Sequence, residues 1–136
     1  MIKEMTKYIE AQVTSLSMSG AGRNLYAGRR PQSAPDISTV VETPFPDQTN
    51  TIIPDIVQRT FRVECRGAVD NYFSAHDVAR SIHTALHADW QITLPVVGGT
   101  NYLVNIDARE PAATGSDEKH RPLVVVYLYV NTQEIP

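Results

Sequence analysis

Three histidines on one predicted helix are the residues whose spacing first suggests chemistry. His76, His83 and His87 stand at i, i+7 and i+11, so a helix places them within about 40° of one another around its axis. His83 and His87 also have the H-x-x-x-H spacing of zinc ligands. The glutamate of H-E-x-x-H is absent because Thr84 follows His83, and the nearest carboxylate, Asp89, falls on another face. The stripe borders the apolar side of the helix, where half-buried histidines commonly pack. We therefore predict no metal site and keep the three histidines as an alternative ligand set.

The single cysteine suggests a second kind of chemistry, that of a nucleophilic thiolate. Cys65 lies in the stretch QRTFRVECRG, where strand alternation places it with Phe61 and Val63 on one face. A catalytic thiolate needs a nearby base and an electropositive, partly exposed setting. The charged neighbours point to the opposite face, so Cys65 is predicted to be a small buried hydrophobic residue.

Sequence motifs for other reactions are incomplete or absent. The string GAGRNL has half of a G-x-G-x-x-G fingerprint, but Leu25 stands in place of the third glycine and a helix, not a strand, precedes it. There is no Walker motif, G-x-S-x-G or C-x-x-C, and the one carboxylate cluster, SDEK, lies in a predicted loop. We predict no catalytic residues and no cofactor. A metal-dependent enzyme that uses the histidine stripe stays a distant alternative.

Length and charge narrow the class of protein. The 136 residues predict one α+β domain over 1–136, long enough to bury a core. A net charge of −3 argues against holding duplex DNA or an anionic membrane by bulk electrostatics. No apolar run approaches the ~20 residues that cross a bilayer, and the N-terminus lacks the apolar core of a signal peptide. We expect a soluble protein made in the cytoplasm.

Two helices are predicted from apolar spacing. Residues 2–17 repeat apolar side chains every three or four positions, and the glycines of SGAG would end that helix. The second helix is predicted to begin at Ser74 as N-cap, with Asp77 completing an S-x-x-D box, and to run through Trp90.

The predicted strands are rich in β-branched or alternating apolar residues and cover 25–26, 37–42, 56–66, 101–110 and 123–131.

Three connecting segments complete the predicted fold. Residues 43–55 are expected to be an extended proline-rich loop, 94–99 a turn, and 109–122 a hairpin loop. The resulting order is α-β-β-β-α-β-β, with a mixed or antiparallel sheet of about four to five strands packed by two helices in two layers.

Two sets of side chains are predicted to lie on the face of the sheet that points away from the core. The last strand carries Tyr127 and Tyr129 on the face opposite Val124, Val126, Leu128 and Val130. There the two tyrosines resemble protein–protein anchors unless a loop of the same chain covers them. On the long strand, Arg62, Glu64 and Arg66 share the face opposite Cys65. They either pair across a subunit boundary or form ordinary cross-strand pairs on a solvated face.

Several strings resemble one family. They are NLYAGRRP after the first helix, RTFRVECRG followed by SAHDVARSIHTALH, and GSDEKHRPLVVVYLYV near the end. In these strings and in its order of elements the chain resembles the tail terminator proteins of long-tailed bacteriophages, also called tail completion or minor capsid proteins. The resemblance covers most of the chain apart from 43–55.

The resemblance implies a structural role. Such proteins form a ring, commonly a hexamer, that caps the finished tail tube, stops its polymerisation and offers a surface to the head connector or stopper. It implies a virion protein of the tail or neck that performs no catalysis. The residues expected at subunit contacts are Arg62, Glu64, Arg66, Tyr127 and Tyr129.

Loop residues are expected to contact the neighbouring rings. The loops 23–34 and 109–121 would face the tail tube protein or the head, and their charges would set the register, unless these loops are simply solvated. The residues expected to take part are Arg23, Arg29, Arg30, Asp117, Glu118 and Lys119. DNA would pass through the lumen without specific binding, and no membrane is involved. Another neck protein, a stopper or head completion protein, remains the alternative.

Overall fold

The computed structural model describes residues 1–49, 55–87, 89–95 and 101–135. These residues form two helices, α1 (Ile2–Gln12) and α2 (Tyr72–Leu86). They also form eight strands, which are β1 (Leu25–Ala27), β2 (Ser38–Glu42), β3 (Gln48–Thr49), β4 (Ile56–Arg66), β5 (Ile92–Pro95), β6 (Asn101–Ala108), β7 (Ala112–Ser116) and β8 (Pro122–Ile135).

Two long antiparallel strands form the centre of the sheet. β4 and β8 pair continuously from Ile56 opposite Gln133 to Arg66 opposite Leu123. Each pairs with two further strands on its outer side: β2 and β3 lie along β4, and β6 and β7 lie along β8. β1 adds parallel to β2, and β5 adds antiparallel to β6, which gives the order β1-β2-β4-β8-β6-β5. The sheet is therefore mixed.

The hydrophobic core lies between the two helices and one face of this sheet. α2 contributes a stripe of small and aliphatic residues that includes Ala79 and Ile82, and α1 contributes Met5 and Ile9. Phe61 is the largest fully buried side chain, and its burial alone stabilises the fold by roughly 1.5–3 kcal/mol. The predicted class, an α+β domain of two helices on a sheet, is confirmed.

The predicted number of strands was too small. β3, β5 and β7 were missed. β3 lies in the predicted excursion and β7 in the predicted hairpin loop, and β5 runs from just after the end of the predicted second helix into the predicted turn at 94–99. Each is short and is formed by pairing with a longer neighbour, β4, β6 or β8. Pairing of this kind overrides weak local propensity. Pro95 is tolerated because it ends a strand at the edge of the sheet.

Both helices differ from their predicted bounds. α1 ends at Gln12 because Val13 is extended. Val13 and Leu16 lie beyond the helix, in a turn closed by a hydrogen bond from Leu16 N–H to the Val13 carbonyl. Both side chains are buried there, and this explains why the apolar spacing of the sequence extends to Leu16. α2 begins earlier than predicted, with Asn71 as N-cap accepting from Ser74 N–H.

Three of the predicted segments lie partly outside the residues that the structure describes. The proline-rich excursion is described only at 43–49 and Asp55, the turn only at 94–95, and the predicted continuation of α2 to Trp90 includes residue 88, outside the described residues. α2 itself ends at Leu86, and Trp90 is exposed rather than part of the apolar stripe. No helix in the described ranges is both long and apolar enough to cross a lipid bilayer.

The turn between β4 and α2 is held by close packing at Gly67. Its N–H donates to the Pro122 carbonyl at 2.9 Å, and the next residue, Ala68, donates its N–H to Ser74 Oγ at 2.8 Å. A Cβ at position 67 would lie 2.9 Å from Ala75 N and 2.9 Å from Pro122 Cγ, and against Ser74 Oγ. These are closer than real Cβ contacts, so the turn has no room for a side chain.

Gly67→Ala is therefore expected to lower the free energy of unfolding by about 1–3 kcal/mol, measured by urea denaturation. The matched control is Gly22→Ala, because a Cβ at position 22 meets nothing within 4 Å. That control should change stability by less than about 0.5 kcal/mol. Equal stability of the two variants would contradict the packing described for this turn.

Candidate assembly surfaces

The side chains of the two central strands alternate between the two faces of the sheet, as the sequence pattern predicts. Phe61, Val63 and Cys65 of β4 are fully buried in the core under the helices. Arg62 and Glu64 therefore lie on the second face of the sheet, which carries no helix. That second face is divided into a covered part and an open part.

The covered part lies beneath residues 28–37, here called the covering segment. Arg30 of this segment reaches the sheet and donates from Nη1 to Glu64 Oε1 at 2.8 Å and from Nε to Ser38 Oγ at 2.8 Å. Arg62 donates to the other carboxylate oxygen of Glu64 at 2.9 Å. Glu64 thus bridges two arginines, one of which the sequence placed in a free loop. Arg30 is not free, because its guanidinium is held inside the protomer.

The Arg30 and Arg62 guanidinium groups control the charge of Glu64. Burial raises the pKa of this carboxyl, but the hydrogen bonds and positive charges of the two arginines outweigh burial and lower the pKa below its ordinary value. Glu42 lies 3.6 Å from Arg62 and extends the cluster. The cluster is a self-contained set of ion pairs within one chain.

Arg66 fastens the covering segment to the end of β4. Its guanidinium donates to the carbonyls of Asp36 and Pro35 at 3.0 and 2.9 Å, and the residue is only 8% exposed. Burial and the nearby positive charges of Arg30 and Arg121 lower the pKa of Arg66. The side chain expected at a subunit contact is thus already bonded within its own chain.

The open part of the second face is the tyrosine face, defined by Arg62, Tyr127, Tyr129 and Arg109. Tyr127 lies directly opposite Arg62 on the paired strand. Tyr129 is 44% exposed, and the Arg109 guanidinium lies over its ring at 5.0 Å from the centroid. Arg109 also forms a salt bridge with Asp107, with 3.2 Å between Arg109 Nη2 and Asp107 Oδ2.

A shallow groove of about 420 Å³ crosses the tyrosine face beside Tyr129. Its walls are Phe45 on one side and Arg109 on the other, and its floor includes Thr60 and Asn131. Phe45 is 57% exposed. Aromatic and arginine side chains around a concave surface are typical of protein interfaces.

A second surface forms where β4 ends and β8 begins, and is called the hairpin end. The pairing of Ser38 with Arg66, and of Arg66 with Leu123, brings the start of β2 and the β7–β8 turn to this end. The parallel pairing of β1 with β2 brings Arg23 there too. Four of the exposed large hydrophobic residues also lie here, and they are Ile37, Val69, Tyr72 and Phe73.

The predicted loop residues separate into bonded and free groups. Asp117 is bonded: it accepts from Arg121 Nε at 2.7 Å and from the N–H groups of Lys119 and Arg121, and these bonds outweigh its slight burial and lower its pKa. Arg121 also pairs with Asp36 at 2.9 Å. Glu118 and Lys119 are exposed at the tip of the turn.

The two remaining arginines of the first loop are exposed. Arg29 follows β1, and Arg23 lies over the Tyr26 ring at 4.6 Å from its centroid. Both are available for contact with another molecule.

The histidine stripe forms local contacts on α2. His83 and His87 stack with ring centroids 5.0 Å apart, and His83 Nε2 lies 3.9 Å from Glu110 Oε1. His76 instead packs near the Tyr72 ring at 5.5 Å. Within the part of the chain that the structure describes, no three His, Cys, Asp or Glu side chains are placed to hold a metal ion.

Cys65 has the environment of a core residue. It is fully buried, and burial raises the pKa of its thiol to about 12, against a smaller lowering by a hydrogen bond with Thr39. At neutral pH the thiol is protonated and enclosed, so it is unsuited to nucleophilic attack.

Sequence reasoning missed the aromatic residues of the hairpin end. Tyr72 and Phe73 precede the predicted helix start, so they were assigned to a connection instead of to the first turn of α2. Their signal was available: Phe73 falls outside the buried stripe that begins at Ala75. An apolar residue at a helix start but off its buried face is a candidate contact residue.

Acid is expected to weaken the protomer through Glu64. The stability that ionised Glu64 contributes is present above its unfolded pKa, and it is lost as pH falls through its lower native pKa. Glu64→Gln should cost about 1–3 kcal/mol near pH 7, and the difference from wild type should shrink below about pH 4. Urea denaturation across pH measures this, with Glu118→Gln as the exposed control. A constant difference at all pH values would contradict the assignment.

The Cys65 thiol is expected to react slowly with thiol reagents in the folded protein. With a pKa of about 12, only about one molecule in 10⁴ carries a thiolate near pH 8, and the sulfur is enclosed. Reaction with a colorimetric disulfide reagent should be slow in buffer and rapid in denaturant. Rapid reaction of the native protein would show that Cys65 is accessible.

Comparison of the sequence with known proteins gives no match: no protein-family model matches the chain, and no curated protein matches it. Its function has to be inferred from its own surfaces and from the family resemblance of its sequence strings.

Proposed function

We propose that the chain is a structural protein of a long-tailed phage virion, which forms a ring at the head-proximal end of the tail tube. The ring, a hexamer, ends tube polymerisation and provides the surface to which the head connector attaches. It performs no catalysis and needs no cofactor. The resemblance of the sequence strings supports this role, and so does the distribution of exposed aromatic residues.

The observation that carries the proposal is the tyrosine face. One half of the second sheet face is covered and bonded within the protomer, through Arg30 and Arg66. The other half exposes Tyr129 and the groove beside it. A sheet face that is covered only in part is suited to contact with a neighbouring subunit.

Ring closure requires two different surfaces on each protomer, because a head-to-tail contact joins unlike patches. The tyrosine face supplies one of them, with Arg62, Tyr127 and Tyr129 as the contact residues. Glu64 and Arg66 act behind it, because they bond to their own chain and hold the sheet and covering segment in place.

The ends of the sheet supply the axial contacts in this proposal. Arg23, Glu118 and Lys119 lie at the hairpin end, so the two loops expected to touch neighbouring rings meet at one end of the protomer. Arg29 follows β1, and the guanidinium of Arg30 is bonded to Ser38 and Glu64 within the protomer. DNA passes through the lumen without a specific site, consistent with a net charge of −3.

The proposal is tested on the virus that encodes the chain. Without this protein, tails should be made that exceed the normal length or fail to join heads, as seen by negative-stain microscopy. Purified protein should sediment as a ring, alone at high concentration or on tubes. Tails of normal length that join heads without the protein would refute the role. Capture by connector particles but not by tubes would assign the protein to another neck position.

The tyrosine face is expected to govern ring formation. Tyr129→Ala should weaken subunit association by about 30-fold, corresponding to about 2 kcal/mol for an interface anchor, as measured by sedimentation equilibrium. Tyr129→Phe is the matched control, because it keeps the ring beneath the Arg109 guanidinium. Unfolding of the protomer should be unchanged in both. A ring of unaltered affinity in Tyr129→Ala would place the subunit contact elsewhere.

A further inference from the structure

β7 is a strand whose second edge is open. It pairs with β8 along one side, and no other described strand pairs with its outer side. All five of its residues are exposed. An open edge presents a row of unpaired backbone N–H and C=O groups, which fits one kind of occupant, another extended chain.

The opposite edge of the sheet, at β1, is covered by another segment of the chain. There the N–H groups of Asn24 and Leu25 both donate to the Ser17 carbonyl at 3.0 Å, so the segment after α1 covers that edge. Among the described residues no segment bonds to the outer side of β7 in this way, and β7 contains neither a charged side chain nor a proline. Its short length and the bulge between Ala113 and Gly115 limit an added strand to a few residues.

Exposed aromatic residues lie beside this open edge. A hollow of about 390 Å³ is lined by Tyr72 and His120 together with Ala113 and Gly115 of β7. Phe73 packs edge-on against Tyr72, with ring centroids 5.7 Å apart, and is 69% exposed. The edge thus supplies backbone groups, and the hollow supplies a site for a side chain of the added strand.

The turn between β4 and α2 and the turn between β7 and β8 are held together as one unit. Asp70 N–H donates to the His120 carbonyl at 2.9 Å, and both residues are left-handed, with φ of 56° and 60°. Left-handed backbone in a non-glycine residue costs about 1–3 kcal/mol and persists only where its surroundings require it. The hollow therefore exists before any partner binds.

The charges of the hairpin end favour a protein over a nucleic acid. Arg23 and Lys119 are exposed there, but so are Asp70 and Glu118. The mixture provides no basic track for a phosphate backbone. It suits a protein surface whose charges are also mixed.

We propose that an extended segment of the tail tube subunit adds to the outer edge of β7 as a further strand, and that its side chains pack on Tyr72 and Phe73. This inference rests on the proposed function. It gives that function a means of stopping growth, because the segment paired with β7 is no longer available to the next tube ring.

The experiment uses tail tubes purified from the virus that encodes the chain, with binding measured by co-sedimentation. Phe73→Ser should weaken tube binding at least tenfold and leave the ring intact. The matched control is Trp90→Ser, because Trp90 is 70% exposed and Phe73 69% exposed, and Trp90 lies outside the hairpin end. The control should bind tubes like wild type.

Amide hydrogen exchange tests the strand pairing itself. The amides of 112–116 should exchange at least tenfold more slowly in the ring bound to tubes than in the free ring. Unchanged exchange at 112–116 would overturn strand addition, even where Phe73→Ser weakens binding. Equal binding of Phe73→Ser and wild type would overturn the docking site while leaving the proposed function in place. Failure of the wild-type ring to bind tubes would refute the proposed function, and this inference with it.

Discussion

The pairing of β4 with β8 is the constraint on which the rest of the structure depends. Eleven residues of β4 pair without a break, and side chains alternate with a period of two. Phe61 and Leu128 face the helices, so Arg62 and Tyr127 must face the opposite way. A slip of one residue in either strand would exchange the two faces. The register that builds the core therefore also builds the tyrosine face.

The second face shows two ways of satisfying polar groups without a helix layer. Under the covering segment, Arg30 and Arg66 bond to a carboxylate and to backbone carbonyls, because a buried guanidinium without acceptors would be strongly unfavourable. Beyond that segment, Arg109 lies over Tyr129 and stays exposed. The covered half needs nothing from a partner, whereas the open half still has aromatic surface to bury.

Local periodicity was enough to predict part of the structure. The bounds of β4 and the burial of Cys65 follow from alternation alone, and both are confirmed. The bond between Arg30 and Glu64 could not be predicted, because the two are 34 positions apart and meet only after the covering segment folds back. β7 was missed for a related reason: its residues have little strand propensity, and pairing with β8 forms it. The exposure of Phe73 was missed because the N-cap was placed at Ser74 instead of Asn71.

The rigidity of the hairpin end bears on how such a surface would bind. Gly67 N–H is bonded to the Pro122 carbonyl, and Asp70 N–H to the His120 carbonyl, so the start of α2 and the hairpin move together. A partner that binds there orders few additional groups, and the entropic cost of association is correspondingly lower. The tyrosine face is equally fixed, because Arg62, Tyr127 and Tyr129 stand on the two central strands and Arg109 directly follows β6. The proposed ring would use two surfaces of this kind, because a head-to-tail contact joins unlike patches and the axial contacts need a third partner surface.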